Sequence, residues 1–472
     1  MRADRRTHAH VDAGSRRADA HRAPLLDPML RTRPLISLLP IAFALVGCHT
    51  YTRLDVDLDA HLREFRGRAP EPRTDDALTR AQGRELAKML HPDARLARSR
   101  AGVATVVRDQ AGRWDDPQLQ TNLQNILESV PHRWVAQAQI GFTVPINGRL
   151  QGERALADRR RDEALVAAWT TEQQVANQLD LAWAAWSAAQ LRVALFERTC
   201  ANLAGLETIA QHLVEVGSLT RPGARVFGLE RRNRDAGRAL AAAEAEAAGI
   251  ELRAALGLHP EAPLELVPDL DVEPFAPDPA ARRALLPQSP RLRARETAHR
   301  AADADLVLQL RRQWPDLQLW PGWQEEDAQP RAGFGVNLLL PVFTANEPEV
   351  LRAAAERRWT AEAWKVAFEQ LVQELAAAEI RRDAAMDQVA RFEELHGLAS
   401  EQVRDNRKLA EVGQLDVLLM LDALLREHNV QLAAIDAAVA HAARTVELNL
   451  LLPDPASAPP AAGDAGDATG EN

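Results

Sequence analysis

One tandem repeat constrains the fold of this chain more than any other feature. The segment Glu-Val-Gly-Ser-Leu-Thr around Gly217 recurs as Glu-Val-Gly-Gln-Leu-Asp around Gly413, 196 residues later. Pro145 and Pro341, each at the end of an apolar alternation, have the same spacing. Landmarks that recur in one order at one spacing indicate the duplication of a unit as long as a whole domain. We therefore predict two copies of one structural unit.

The repeat sets the domain boundaries. The two copies are predicted to span residues 74–257 and 291–452. The linker between them, residues 258–290, carries eight prolines and cannot be one continuous helix, so we expect a belt around the equator of the helical part. Residues 453–472 are rich in Pro, Ala, Gly and Asp, and we expect this tail to be disordered.

Each copy contains a predicted strand pair, at residues 117–145 and 315–341. Apolar residues alternate with polar ones along one long strand of each pair, which indicates a strand with two different faces. The apolar positions are Trp134, Ala136, Ala138, Ile140, Phe142 and Val144 in the first copy, and Ala332, Phe334, Val336, Leu338 and Leu340 in the second. The connections are predicted at residues 128–133 and 324–330, and Pro321 predicts a bent or truncated strand end.

The length of these strands is typical of membrane β-strands, which need about 9 to 11 residues, apolar toward lipid and polar toward a lumen. We predict that the apolar positions face lipid. Tryptophans near the predicted strand ends would be interface anchors: Trp114, Trp134, Trp314, Trp320 and Trp323. Four strands cannot close a barrel, so insertion requires an oligomer; two copies give a packed eight-stranded barrel, and three begin to leave a lumen. Two hairpins packed on a soluble core are the alternative.

Long helices follow both strand pairs. Residues 150–216 and 346–412 are rich in Ala, Leu, Glu, Gln and Arg, with no proline after Pro348. Each helix would be about 100 Å long at 1.5 Å per residue. The apolar seam that carries Trp169, Trp183 and Trp186 is predicted to be core and not a ligand site.

A tight turn is predicted at the end of each long helix, at residues 217–220 and 413–416. Gly217 and Gly413 stand where a left-handed helix cap is expected. Thr220 and Asp416 are suitable first residues for a returning helix. The predicted fold class is therefore mainly α, with duplicated long helical hairpins and four β-strands per chain.

The amino terminus has the pattern of a secretory signal. Residues 35–47 are an apolar stretch preceded by Arg31 and Arg33, too short to cross a membrane as a mature helix. Its ending, Leu-Val-Gly before Cys48, resembles the lipobox of bacterial lipoproteins, in which the cysteine becomes the acylated first residue. We therefore expect residues 1–47 to be an upstream extension and signal peptide, with Met29 as the start, and residues 48–73 to be a lipidated linker. An ordinary signal peptide with an incidental cysteine is the alternative.

Charge and motifs exclude other classes of protein. The chain has 57 basic and 67 acidic residues, a net charge of −10, and no basic run in its body, which excludes a nucleic-acid partner. It has no zinc-protease, nucleophile-elbow or phosphate-loop motif. We predict no catalytic residues, no metal ligands and no cofactor.

Several motifs together resemble the TolC-type outer-membrane efflux protein family, in its lipoprotein branch, over most of residues 74–452. They are Asp76-Ala77-Leu78, His91-Pro92-Asp93-Ala94-Arg95-Leu96, Asp116-Pro117-Gln118-Leu119, Gly141-Phe142-Thr143-Val144-Pro145, residues 336–343, the two Val-Gly-x-Leu turns and Leu421-Asp422-Ala423. Residues 315–327, with Pro341-Val342-Phe343 after them, are similar to the heavy-metal cation efflux branch. Arg221-Pro222-Gly223 departs from the regular return helix of the family.

The resemblance implies a homotrimer whose twelve strands form an outer-membrane barrel, continued by a helical tunnel across the periplasm. It would be a passive conduit in a tripartite efflux or type I secretion system, with a periplasmic adaptor protein and an inner-membrane pump as partners. The adaptor would dock on the turn residues Gly217, Ser218, Leu219, Thr220, Gly413, Gln414, Leu415 and Asp416. Asp422 would join an acidic ring near the tunnel entrance, unless it is merely solvated.

Two other functions stay open at this point. A periplasmic adaptor has helical hairpins, but it needs Gly-rich, lipoyl-like β-segments on both sides of one hairpin, and the sequence has none. A coiled-coil scaffold lipoprotein without a channel would keep the helices and leave the strand pairs soluble. Only the channel needs detergent for its folded oligomer.

The signal ending makes a direct prediction about the mature terminus. Intact-mass analysis of the purified protein should give a chain that begins at Cys48 and carries the added mass of lipid. Expression should persist when Met1 is replaced, because Met29 opens a complete signal. An unmodified terminus at another residue would contradict the lipoprotein assignment.

Overall fold

The computed structural model describes residues 51–68, 77–411, 414, 416–455 and 457. The chain divides into two units, Met1–Leu58 and Asp59–Asn472. The first unit includes Cys48 and the predicted signal, which lie outside the described residues. All strands and, apart from the first residue of α1, all described helices belong to the second unit, to which the following description applies.

The described elements appear in the same order twice, as short helices, a strand pair, a long helix and a return helix. The first series consists of α1 (Leu58–Gly67), α2 (Arg80–Leu90), α3 (Pro92–Gln110), β1 (Gln118–Asn125), β2 (Trp134–Val144), α4 (Arg149–Glu215) and α5 (Arg221–Ala255). The second consists of α6 (Pro279–Leu285), a 3-10 turn (Leu286–Gln288), α7 (Pro290–Arg311), β3 (Leu317–Glu326), β4 (Gln329–Leu338), α8 (Glu347–Glu411) and α9 (Val417–Leu450). The predicted fold class of duplicated long hairpins with four strands is confirmed.

The four strands form one antiparallel sheet in the order β1-β2-β3-β4. Gln118 pairs with Gly141 in the first ladder, and Leu317 pairs with Leu338 in the third. The middle ladder joins the two halves of the chain, with Ala138 opposite Trp323 and Phe142 opposite Leu319. The strand pairs are therefore not separate hairpins.

Three strand predictions were wrong. Leu340 lies beyond β4, which ends at Leu338, because Leu338 pairs with Leu317, the first residue of β3, and no strand residue lies opposite Leu340. Pro321 does not bend or end its strand; β3 runs through it, and the β2–β3 ladder is interrupted there instead. The second connection is a two-residue turn at Asp327 and Ala328, both with positive φ, and not residues 324–330.

Trp320 was predicted to be an interface anchor near a strand end, but it lies inside β3, on the opposite face from Trp323. A Cβ added to Gly141 would lie 2.6 Å from the Trp320 ring, and one added to Gly335 would lie 3.4 Å from the Trp320 Cβ. The indole therefore lies over β2 at Gly141, where the strand has no side chain, and the start of the Trp320 side chain lies beside Gly335 of β4. This contact fastens the middle of the sheet.

The long helices match their predicted extent to within a few residues. α4 has 67 residues and α8 has 65. Trp183 and Leu179 of α4 are fully buried in a core with Leu252 of α5 and Ala87 of α2, as the apolar seam predicted. A second core near the ends of the long helices joins Leu203 of α4 to Phe227 of α5 and to residues of α8 and α9, among them Val403 and Leu424.

The Pro-rich linker packs along the helices by backbone hydrogen bonds. The Asp269 N–H donates to the Ser187 hydroxyl at 2.9 Å, and the Phe275 N–H donates to the Asn449 side chain at 2.8 Å. The prediction of disorder from residue 453 onward was wrong for the described part of the tail. Asp454 is buried and accepts from Arg84 of α2 at 2.8 Å, and Ser457 accepts from the Trp169 indole at 2.8 Å. A buried carboxylate between cationic groups orders this segment.

Candidate functional site

The sheet has one mainly apolar face that crosses all four strands, with Thr121, Asn125 and Glu325 as its polar positions. The register places ten of the eleven predicted lipid-facing residues on this face, and Leu340 is the exception. The partner strands, which gave weaker patterns in the sequence, contribute Leu119, Leu123, Leu317, Leu319, Pro321 and Trp323 to the same face. Much of it is exposed in the single chain, including Phe334 and Val336. A contiguous exposed apolar surface of this kind marks contact with lipid or protein.

The opposite face is polar and mostly uncharged. Its amide side chains are Gln118, Gln120, Asn122, Gln124, Gln137, Gln139, Gln318, Gln324, Gln329 and Asn337. Asn337 donates to Gln318 at 3.1 Å across the strands. Glu326 and Arg331 are charged, but they form an ion pair with each other at 3.0 Å near the turn. Such a face suits contact with water and presents little net charge to a solute.

Both edges of the sheet are open. In the described chain, β1 and β4 each pair on one side only, so each presents a row of unpaired N–H and C=O groups along its other side. Such edges cannot face hydrocarbon, where every backbone polar group needs a partner. The sheet is therefore incomplete as a membrane structure until something pairs with β1 and β4.

An ion cluster joins the sheet to the helices, and the sequence patterns did not indicate it. Arg149, the first residue of α4, donates to Asp316 before β3 at 3.0 Å, to Asp115 before β1 at 2.8 Å and to Glu153 at 3.0 Å. Burial opposes the charge of Arg149, but the three carboxylates outweigh it and raise the pKa of the guanidinium. The sequence signal that could have indicated it is an Asp within three residues of the start of both β1 and β3.

The first predicted docking turn has the expected cap geometry. Gly217 has φ of +80°, and its N–H donates to the Val214 carbonyl at 3.1 Å, while the Ser218 N–H donates to the Leu213 carbonyl at 2.8 Å. Leu219 packs on the core between the two hairpins. Thr220 caps α5 by accepting from the Gly223 N–H at 3.3 Å.

Pro222 does not disturb the return helix, contrary to the departure noted in the sequence. It lies in the first turn of α5, where the missing N–H would have had no partner within the helix. The return helix α5 therefore begins regularly at Arg221.

The second predicted docking turn is described in part. Gly413 and Leu415 lie outside the described residues. The Gln414 N–H donates to the Leu409 carbonyl at 2.9 Å, the equivalent of the bond from Ser218 196 residues earlier. Asp416 caps α9 by accepting from the Leu418 and Leu419 N–H groups at 3.0 and 3.2 Å.

The predicted acid of the tunnel entrance lies on the first turns of α9. Asp422 is half-exposed and forms an ion pair with Arg426 at 2.8 Å, one helical turn away. Among the described residues, no three His, Cys, Asp or Glu side chains come together as metal ligands would. None of the described helices has an apolar stretch long enough to cross a membrane.

A buried polar contact joins the two hairpins near their turns, at a position that no sequence pattern marked. His428 of α9 is 1% exposed, and its Nδ1 lies 2.9 Å from the Thr199 hydroxyl of α4. Its ring meets Phe196 edge to face at 4.8 Å. Burial, together with the nearby charge of Arg234 on α5, lowers the pKa of His428 from 6.5 to about 4. The imidazole is therefore neutral at neutral pH.

The sequence matches no protein-family model and no curated protein. Several solved structures share its fold. The outer-membrane channel OprN is 17% identical, with a TM-score of 0.65, and the match covers 86% of this chain and 98% of that one. CusC, described in terms of folding and transmembrane channel formation, is 15% identical, with a TM-score of 0.64 and coverage of 79% and 91%. The Campylobacter jejuni outer membrane channel CmeC is 11% identical, with a TM-score of 0.63 and coverage of 86% and 93%. The fold that the sequence resemblance implied is confirmed over almost the whole length of these neighbours.

The lowered pKa of His428 predicts how folding stability depends on pH. Below pH 6.5 the unfolded chain takes up a proton on this imidazole, whereas the folded chain resists protonation down to about pH 4. The stabilisation from the neutral ring is therefore complete above pH 6.5 and is lost as the pH falls toward 4, by about 3 kcal/mol at most. Denaturant unfolding across this range measures it.

The matched variants are His428→Asn, which keeps a polar atom near Thr199 but does not titrate, and His212→Asn, at an exposed histidine. His428→Asn should lose less stability on acidification than the wild type, and His212→Asn should lose as much. An equal loss of unfolding free energy on acidification in all three proteins would contradict the low pKa of His428.

Proposed function

We propose that this chain is the outer-membrane channel of a tripartite efflux or type I secretion system, a passive conduit from the periplasm to the exterior. One observation carries the proposal: a mainly apolar sheet face that crosses four strands of 8 to 11 residues, at one end of helices 67 and 65 residues long. The strand lengths suit a bilayer and the helix lengths suit a periplasmic tunnel. The fold shared with outer-membrane channels supports the same function.

The open edges of the sheet support a homotrimer. The edge β4 of one copy can pair with β1 of the next, and a cyclic arrangement leaves no edge unpaired. Two copies would give an eight-stranded barrel, and side chains fill the interior of a barrel of that size. Three copies would give twelve strands, which leave a passage. Three copies therefore fit a conduit, with outer-membrane lipid against the apolar face.

The polar face would line the passage. Its amide side chains hydrogen-bond water and carry no charge, so the wall neither attracts nor repels ionic solutes strongly. We therefore place the choice of substrate in the inner-membrane pump, for heavy-metal cations as for other solutes. The channel itself needs no catalytic residue and no cofactor.

The turn ends of the hairpins would meet the periplasmic adaptor. At about 1.5 Å per residue, α4 places Gly217 about 100 Å from the sheet, at the far end of the same helix. The bond from the Ser218 N–H to the Leu213 carbonyl recurs as the bond from the Gln414 N–H to the Leu409 carbonyl, and three chains would present six such turns. Asp422, on α9 next to the second turn, would belong to an acidic ring at this entrance, and the lipid on Cys48 would anchor the chain to the outer membrane.

The two faces of the sheet make opposite predictions for a buried charge. Arginine at Ala138 or Val336, on the apolar face, should destabilise the inserted trimer by about 2–4 kcal/mol near the midplane of the bilayer. Arginine at Gln139 or Asn337, one residue further along the same strands, should be tolerated in the aqueous passage. Trimer yield after detergent extraction compares the four variants.

Equal yields for the four variants would overturn the membrane barrel. They would favour the scaffold, in which the sheet packs in a soluble assembly. A folded oligomer that forms without detergent would lead to the same conclusion.

The turn at Gly217 provides a separate test of docking. Its φ of +80° is costly for a β-branched residue, by about 1–2 kcal/mol, although the space around its Cβ is open. Gly217→Val should therefore leave the trimer intact but displace Leu219, and so reduce adaptor cross-linking and export. Because Pro222 fits the return helix, we expect an effect as large as that of Gly413→Val.

Gly205→Val is the matched control, since Gly205 is within α4, has open space around its Cβ and lacks a positive φ. It should export at the wild-type rate. Wild-type export by Gly217→Val and Gly413→Val together would refute the docking assignment while leaving the channel fold in place.

A further inference from the structure

We propose that the sheets of neighbouring copies join in one register, in which Asn337 on β4 of one copy lies opposite Gln120 on β1 of the next. This inference rests on the proposed trimeric channel and deepens it by naming the residues that close the passage. The partner is a second copy of this chain, because the exposed edge of β4 and the exposed edge of β1 are the two ends of one sheet. Pairing them continues the antiparallel order of the strands.

The faces of the sheet restrict the register to every second residue. Odd-numbered residues of β1, such as Leu119, lie on the apolar face, whereas in β4 the even-numbered residues, such as Val336, do so. Residues directly opposite each other in a ladder point to the same face. Asn337 must therefore lie opposite an even-numbered residue of β1, because a slip by one residue would turn apolar side chains into the passage.

Closure of the sheet restricts the register further. The row of paired residues that starts at Gln120 passes through Gln139 of β2 and Gly322 of β3 to Gly333 of β4. In a closed barrel of three identical copies this row meets β1 of the next copy displaced by an even number of residues. Displacements of two, four and six residues per copy correspond to strand tilts of about 20°, 35° and 45°. The strands of membrane barrels have tilts of about 35–45°, which excludes a displacement of two residues.

The twist of the sheet gives the direction of the displacement. Arg133, on the polar face, accepts from the Ile126 N–H at 2.7 Å, so backbone groups of polar-face residues in β2 point toward β1. For L-residues this places β1 to the left of β2 when the sheet is viewed from its apolar face with the helices above. In a barrel, the twist of the sheet makes the strands coil in a right-handed sense. A row of paired residues runs across the strands, so it moves away from the helices as it passes from β1 to β4. Residue numbers in β1 rise in that direction.

The overlap of the strands selects a displacement of four. With four, Gly335 lies opposite Asn122 and Asn337 opposite Gln120, and seven of the eight β1 residues meet residues of β4. With six, only five of the eight do.

The selected register also completes both faces of the sheet. On the apolar face it pairs Leu119 with Leu338 and Thr121 with Val336. On the polar face it places the amide of Gln120 against that of Asn337. The chain-to-chain seam thus has the same composition as the ladders within the chain.

Paired cysteines test the register in the full-length protein, with Cys200→Ser as the background. The cysteine at Asn337 is kept constant, and the second cysteine is placed at Gln118, Gln120 or Asn122, all of which are exposed on the polar face of a single chain. Opposite Cβ atoms are about 5 Å apart, within reach of a disulfide, whereas positions displaced by two residues are about 7 Å or more apart. Detergent-extracted protein is oxidised, and covalent oligomer is measured on denaturing gels.

The pair Asn337→Cys with Gln120→Cys should give several-fold more covalent trimer than either neighbouring pair. A trimer that cross-links best through Gln118→Cys or Asn122→Cys would overturn the register while the proposed channel stands. A trimer that cross-links through none of the three would overturn the pairing of β4 with β1. If size measurement of the Cys200→Ser parent in detergent showed no trimer at all, the proposed function itself would fail.

Discussion

The pairing of backbone groups within the sheet is the constraint on which the rest of this structure depends. Four strands from two distant parts of the chain meet in a register that places their apolar side chains on one face. Because side chains alternate with a period of two, a slip of one residue in the pairing of any two strands would place apolar and polar side chains on the same face. The two-residue turn at Asp327 and Ala328, the contact of Trp320 with Gly141 and the ion pairs of Arg149 all act on this register. The unpaired groups on β1 and β4 need a pairing partner before such a sheet could enter a membrane.

The helical part transmits the position of the sheet over a long distance. Arg149 fixes the start of α4 to residues that precede β1 and β3, so the helix direction is set where it leaves the sheet. From there α4 continues without a break to the cap at Gly217. α4 packs against α5, α7 and α9, and this tertiary packing stabilises it along its length. The distance between sheet and turn is therefore a property of one continuous element.

Two buried polar contacts join parts of the chain that are far apart in the sequence. Arg84 of α2 ties together Asp180 of α4 and Asp454 near the chain end, and lies over the Phe275 ring of the linker at 5.2 Å. Burial raises the pKa of Asp180, and the two arginines of α2 oppose that shift. His428 joins α9 to α4 where the hairpins approach their turns. These groups join the helices to one another and to the Pro-rich linker.

The sequence alone determined the local elements, because their signals are local. Alternation identified β2 and most of β4, helix-forming composition identified α4 and α8, and the repeated Val-Gly-x-Leu motif identified both turns. Tertiary structure decided what depends on a partner strand or a distant side chain. It ended β4 at Leu338, opposite the first residue of β3, and carried β3 through Pro321. It also ordered Asp454 by ion pairs and brought β2 beside β3 to make one sheet from two hairpins. Periodicity reports which face a residue occupies, whereas the neighbour that covers the face is set by contacts between residues far apart in the chain.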